Sequence, residues 1–189
     1  MIIRASAAAL FASAVLVATA QEGASGAPEA TPPPRILRHE GMVVRVTSLL
    51  TDPVTGFLIG RGFPTSVARR YSANCVVRVV LVNESQAPSI AYDLRSWRLH
   101  RADGATDPPT TREDWLPQWR AAGLSDAALV GFEWSQLPTR QELHVGDTAL
   151  GMVNTGLPPG SRFDLELHWT TGGSARRASL KGIDCAPAS

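Results

Sequence analysis

The clearest alternation in the chain runs from Arg162 to Thr170. Phe163, Leu165, Leu167 and Trp169 alternate with Asp164, Glu166 and His168. A period of two predicts a half-buried antiparallel strand, dry on one face and wet on the other. Thr171-Gly172-Gly173-Ser174 reads as a hairpin turn, and Ala175 to Ile183 as the returning strand. A second pattern runs from Cys75 to Glu84. It is β-branched on both parities, with Arg78 the only charge before Glu84. That composition predicts a strand buried on both faces near the middle of a sheet. Ser85-Gln86-Ala87-Pro88 breaks the run, and residues 90–104 follow. This next run ends in Trp97-Arg98-Leu99-His100-Arg101, apolar at odd positions, and turns at Asp103-Gly104. The two runs are expected to form an antiparallel pair.

Other segments fill in the same rhythm. Met42 to Leu50 reads as a strand with Val44 and Val46 on one face, stopped at Thr51-Asp52-Pro53. Phe57 to Phe63 is interrupted by glycines and is expected to be a loop or a bulged edge. Leu143-His144-Val145 leads into a turn at Gly146-Asp147, Thr148 to Asn154 forms a strand, and Leu157-Pro158-Pro159-Gly160 turns again. Residues 105–139 depart from this pattern and read as an insertion. A short helix is expected there, with Asp114 as N-cap, Pro117 in the first turn and Gly123 just past the end. A rival capping box, Thr110 with Glu113, would place Pro117 mid-helix, where proline costs about 3 kcal/mol. Trp115 and Trp119 share one helical face. Short strands with frequent turns and little helix predict an all-β antiparallel sandwich with one short helical insertion. A small closed barrel is compatible with the same pattern.

The first residues change the picture of where the chain works. Arg4 precedes an apolar run from Ala7 to Val17, and Ala18-Thr19-Ala20 has the small-x-small form of a cleavage site. Residues 1–20 are therefore expected to be a signal peptide, too short and alanine-rich for a spanning helix. No cysteine follows the run to serve as a lipid attachment point. Residues 21–38 contain Pro32-Pro33-Pro34 and small polar residues, and read as a flexible Pro-rich lead. Residues 39–186 would then form one sandwich domain, with the insertion at 105–139. The full chain of 189 residues carries a net charge of +1, and Arg4 is the one charge lost with the signal. A mature chain without net charge has no electrostatic footprint for nucleic acid. Two cysteines, Cys75 and Cys185, are expected to pair in an oxidising compartment.

The chain resembles a family of exported bacterial immunoglobulin-like domains, DUF4352-like. The family includes a small secreted mycobacterial antigen and domains of bacterial surface lipoproteins. The resemblance lies in residues 77–85, a strand ending in Asn83-Glu84-Ser85, and in residues 93–104. It continues in residues 143–153 and at Leu157-Pro158-Pro159-Gly160. It covers roughly residues 42–183 and implies an immunoglobulin-like sandwich and export. It carries over no catalytic residue. The insertion is longer and richer in tryptophan than the family pattern, and a lipobox cysteine is lacking.

Candidate chemistry is sparse. His39, His100, His144 and His168 show no metal-ligand spacing and read as solvated strand-face residues, so no metal and no cofactor are expected. No Gly-x-Ser-x-Gly occurs, and Glu113-Asp114 reads as helix N-terminal charge, so no catalytic residue is assigned. Asn83-Glu84-Ser85 matches a glycosylation acceptor but reads as a turn in a bacterial context. The tryptophans stand above this background. Trp97 and Trp169 fall on inward-facing strand positions. Trp115, Trp119 and Trp134 lie in or beside the insertion. Either they pin it to the sandwich, or they form an aromatic platform for an envelope protein or a glycan. The function expected is an exported, non-catalytic binding domain of the cell envelope, periplasmic or extracellular, with no membrane span after signal removal. A purely structural accessory module is the alternative, and a secreted hydrolase a further one.

Overall fold

A computed structural model of the chain describes residues 31–86 and 89–188. The expected signal peptide and most of the lead lie outside the described residues. Among the described residues, ten strands form two antiparallel sheets. The four-stranded sheet has the order β1 (Arg35–His39), β2 (Met42–Ser48), β3 (Val76–Asn83), β8 (Thr148–Asn154). The larger sheet is built on β9 (Arg162–Thr171). On one side β9 pairs with β10 (Ser174–Asp184). On the other it pairs with β5 (Arg98–Arg101) along its first half and β4 (Ser89–Asp93) along its second. β7 (Arg140–His144) extends β4, and the two-residue β6 (Thr106–Asp107) extends β5.

The alternation in β9 is realised as expected: Phe163, Leu165, Leu167 and Trp169 are buried in the core shared by both sheets. Val44 and Val46 of β2 join them, with Val77, Val79 and Leu81 of β3. Trp97 is 1% exposed, and its indole Nε1 donates to His168 O at 3.1 Å. The result is a sandwich-like arrangement, mostly β. Cys75 and Cys185 are bonded, with Cα atoms 5.6 Å apart. The closed loop of 110 residues removes about 4–5 kcal/mol of unfolded-chain entropy in the loop-closure model.

Several expectations are corrected. β3 is not paired with the run that follows it. Its neighbours are β2 and β8, and the chain crosses to the other sheet before β4. Nor is β3 buried on both faces: Arg78 is exposed, and Val80 and Val82 are half-buried on the outer face. On that face Val76 is buried beneath the helices, and the β-branched residues beyond it reflect strand propensity. The lead ends earlier than expected, because Arg35–His39 pairs with β2 as an edge strand.

Helix is more abundant than the single short insertion expected. Between β2 and β3 lie α1 (Thr51–Ile59) and α2 (Thr65–Ser72). Thr51-Asp52-Pro53 ends a strand and also opens a helix, with Pro53 in its first turn where a missing N–H costs little. Val54, Thr55 and Leu58 then fall on one buried face, so Phe57-Leu58-Ile59 is helical where a loop was expected. The insertion holds α3 (Arg112–Ala121) and α4 (Asp126–Ser135). α3 starts at Thr111, not Asp114. The Asp114 carboxylate accepts from the Thr111 N–H at 2.8 Å and from its hydroxyl at 2.7 Å. This closes a capping box one residue beyond the rival considered from sequence. Pro117 is consequently inside the helix, and packing of the neighbouring tryptophans offsets its cost.

Candidate functional site

The four helices build a second core of their own. Trp115 and Trp119, one turn apart on α3, stack with centroids 4.9 Å apart and planes 11° apart. Tyr71 of α2 meets Trp115 at 5.2 Å, and Phe132 of α4 meets Tyr71 at 5.4 Å and Trp119 at 5.8 Å. Phe63, after α1, closes the ring on Trp119 at 5.7 Å. Edge-to-face and offset pairs of this kind add about 0.5–1.5 kcal/mol each beyond burial. The Tyr71 hydroxyl donates to Gln136 Oε1 at 2.7 Å. Burial pushes that phenol well above its ordinary pKa, against the hydrogen bond to Gln136.

This arrangement separates the three candidate tryptophans. Trp115 is 7% exposed and Trp119 0%, so neither ring can be offered to a partner. Trp134 is 84% exposed and stands apart from the cluster. The cause lies in the spacing along α4. Ala128, Leu129 and Phe132 take the inward face, and Val130 and Trp134, four apart, take the outward one.

Trp134 projects over a groove of about 570 Å³ between the helices and the outer face of the four-stranded sheet. The helices cover the sheet only at the end where β3 begins and β8 stops. There Val76 and Met152 belong to the helical core. Further along, the outer face is bare, and the groove marks the step. Phe57 of α1 forms one wall and Trp134 of α4 another, with Leu150, Met152 and Arg78 as floor. Leu150 is 57% exposed. Arg78 lies opposite Met152 in the β3–β8 register, which puts a cation beside an apolar floor. Arg61, also on the rim, lays its guanidinium 3.4 Å from the centroid of the Phe57 ring. Neither Arg61 nor Arg78 forms an ion pair among the described residues.

Two polar clusters compete for attention. At the start of α3, the Glu113 carboxylate takes a hydrogen bond from the Thr139 hydroxyl and one from Arg112 Nε at 3.0 Å. Burial raises its pKa, but these bonds outweigh that and bring it down to about 2. Arg95 lies 3.9 Å from Glu113 and 3.6 Å from Asp114. The cluster ties α3 to the segments flanking β4 and β7, and each charge in it is answered. On the outer face of the larger sheet, Glu166 sits between His168 Nε2 at 2.6 Å and His100 Nε2 at 3.2 Å. The His168 bond leads in holding the Glu166 carboxyl below its ordinary value. Among the described residues, no three His, Cys, Asp or Glu side chains converge as metal ligands. His39 and His144 lie apart from that pair, His39 with its ring edge-on to Trp169 at 5.8 Å. Asn83 is fully buried, its amide donating to Leu143 O and accepting from the Ser85 N–H. The Asn-Glu-Ser triplet is thus a turn held by the asparagine side chain.

The groove was not legible as a site from sequence. Phe57, Arg61, Arg78 and Leu150 come from three separate stretches, and only Trp134 carried a signal. Among the described residues, no helix is long and apolar enough to cross a membrane. No protein-family model matches the chain, and no curated protein matches it. Among solved structures it is similar to a DUF4426 family protein from Pseudomonas aeruginosa PAO1. The two are 11% identical, with a TM-score of 0.38, and the match covers 82% of this chain and 97% of the other.

Proposed function

We propose that this chain is an exported, non-catalytic binding domain of the bacterial cell envelope that works through the groove under Trp134. The carrying observation is Trp134 itself, a large aromatic side chain left 84% exposed beside an apolar groove. Burying a tryptophan is strongly favourable, and exposed aromatic and apolar surface of this kind marks interaction sites. The Cys75–Cys185 bond is compatible with export, since disulfides persist in oxidising compartments. An immunoglobulin-like sandwich of the DUF4352-like family remains the family proposal, resting on the strand-and-turn residues that suggested it. Of the partner classes expected from sequence, a glycan suits the groove poorly, and a partner that offers it an apolar group suits it better. Sugar recognition wants hydrogen-bonding groups around the ring, and the walls here are apolar.

One observation favours the structural alternative: Trp115 and Trp119 are interior, so most of the insertion's aromatic surface goes into holding the helices together. The two readings separate in a retention experiment. Residues 21–189, folded in an oxidising compartment, are immobilised and exposed to envelope extract beside a Trp134→Ala variant. Binding through the groove predicts a component retained by the parent and lost by the variant, with unchanged melting temperature. Equal retention by both would overturn the proposal and favour the structural module.

A further inference from the structure

We propose that the groove takes a small amphiphilic anion, an apolar body carrying one carboxylate or similar group. This rests on the reading of the groove as a binding surface and specifies its ligand. Three observations point there. The volume of about 570 Å³ lies within the range of small-molecule sites, roughly 300–1,000 Å³. The walls and floor are chiefly apolar: Phe57, Trp134, Leu150 and Met152. The charged side chains that line it, Arg61 and Arg78, are both cationic, and no acidic side chain lines it among the described residues.

The charge placement matters as much as its sign. Arg78 stands on the floor, so an anion reaching it must lie along the apolar strip beside Met152. Guanidinium groups offer forked donors matched to carboxylate geometry. Arg61 is held against Phe57, to whose carbonyl it also donates at 3.4 Å, and its stem runs beside Gly131 of α4. It can swing toward a bound anion without breaking an ion pair. Arg45 on β2, which forms no ion pair among the described residues, lies on the same outer face, opposite Val80 in the register. Around the groove this face thus carries cationic and apolar side chains together. A cationic amphiphile would meet the same apolar walls but repulsion at both arginines.

The test uses the chain folded with its disulfide and follows intrinsic fluorescence, since Trp134 is far more exposed than Trp97, Trp115, Trp119 or Trp169. Dodecanoate, dodecyltrimethylammonium and acetate are titrated in turn, each below its micelle concentration. Dodecanoate is expected to shift the emission and saturate, while the cation of equal chain length and the headgroup alone do not. Arg78→Gln should weaken dodecanoate by about tenfold, the size of one charge-assisted hydrogen bond. Trp134→Ala should weaken it at least as much. Both side chains are exposed, so both variants should melt with the parent. Equal binding of the cation and the anion, or dodecanoate binding untouched by Arg78→Gln, would overturn the proposal. If no amphiphile binds but Trp134→Ala still abolishes retention of an envelope component, the ligand class is wrong and the binding reading survives. If both fail, both fall. A concentration-dependent dimer in sedimentation, lost in Trp134→Ala, would assign the groove to a second copy and also overturn the proposal.

Discussion

The two cores of this protein are built from different material. Between the sheets the packing is mostly aliphatic, set by period-two alternation and closed by a disulfide. Among the helices it is centred on aromatic rings, five of them from three helices and the turn after α1, with aliphatic residues around them. Backbone ladders hold strands in register, so small branched side chains suffice to fill the space between sheets. Helices of eight to ten residues, such as these, are marginal alone in water. They depend on large side chains reaching across to one another, which is what Trp115, Trp119, Tyr71, Phe63 and Phe132 do. The cores abut at the start of β3. Val76 belongs to the helical core, Cys75 and Val77 to the sandwich.

The largest test of that contrast is a pair of truncations. Trp97→Ala and Trp119→Ala each remove a fully buried tryptophan, and each should cost about 3–5 kcal/mol. The difference should lie in where the cost is felt. Amide exchange in Trp97→Ala should accelerate across both sheets together. In Trp119→Ala it should accelerate first in residues 51–72 and 112–135, as the helical core opens while the sandwich holds. Uniform acceleration in both variants would show one cooperative unit and remove the distinction.

The same contrast explains what could be read from the sequence. β9 and β10 were legible because a long half-buried strand repeats its period many times and ends at a Gly-Gly turn. Trp97 and Trp169 followed from parity alone. The helices were poorly legible for a physical reason. A helix of eight residues repeats its period barely twice, and Thr51-Asp52-Pro53 serves as both strand stop and helix start. The N-terminus of α3 misled because avoiding a proline inside the helix looked decisive. Tertiary packing of Trp115 and Trp119 outweighed that local penalty. The disulfide was readable from count and compartment. The groove was not, since its walls meet only when two helices separated by some seventy residues pack on one sheet. The outward face of α4 did hold a clue: Val130 and Trp134 share it, opposite Ala128 and Phe132.

A smaller effect should come from the joint between the regions. A Cβ added at Gly151 would lie 2.0 Å from Leu137 N and 2.3 Å from Gln136 C. The chain leaving α4 crosses β8 there, and Leu137 N donates to Met152 O at 3.0 Å. Backbone cannot yield as a flexible side chain would, so Gly151→Ala must displace the crossing segment. Overpacking of this kind costs about 1–3 kcal/mol. Chemical denaturation of Gly151→Ala against the parent measures it. Gly123→Ala serves as a reference, since its added Cβ meets nothing within 4 Å and only its positive φ is strained. Gly151 carries no such positive φ, so a Gly151→Ala protein as stable as the parent would show that the crossing segment yields freely.

The smallest expected effect is a pH dependence, and it asks which region acid loosens first. Glu113 anchors α3 to the sheet through Thr139, and its carboxyl is held down to about 2 from 4.5. A carboxyl depressed in the folded state contributes stability that is fully present above the unfolded value. That contribution is lost as pH falls from about 4.5 through about 2. Asp93, Asp164 and Glu166 on the larger sheet are also depressed, so the parent alone cannot report on α3. The comparison is therefore between the parent and Glu113→Gln, each melted at pH 6 and at pH 3. Glutamine keeps the shape but does not titrate. The parent should be the more stable at pH 6, and the gap should narrow at pH 3. Because the Glu113 side chain is 43% exposed, solvent and salt screen part of the effect, and the gap at pH 6 should shrink as salt is raised. Equal stability of the two at pH 6 would mean that Glu113 contributes shape alone, and a gap that stays constant with pH would mean that its ionisation does not tie acid to the release of the helical core.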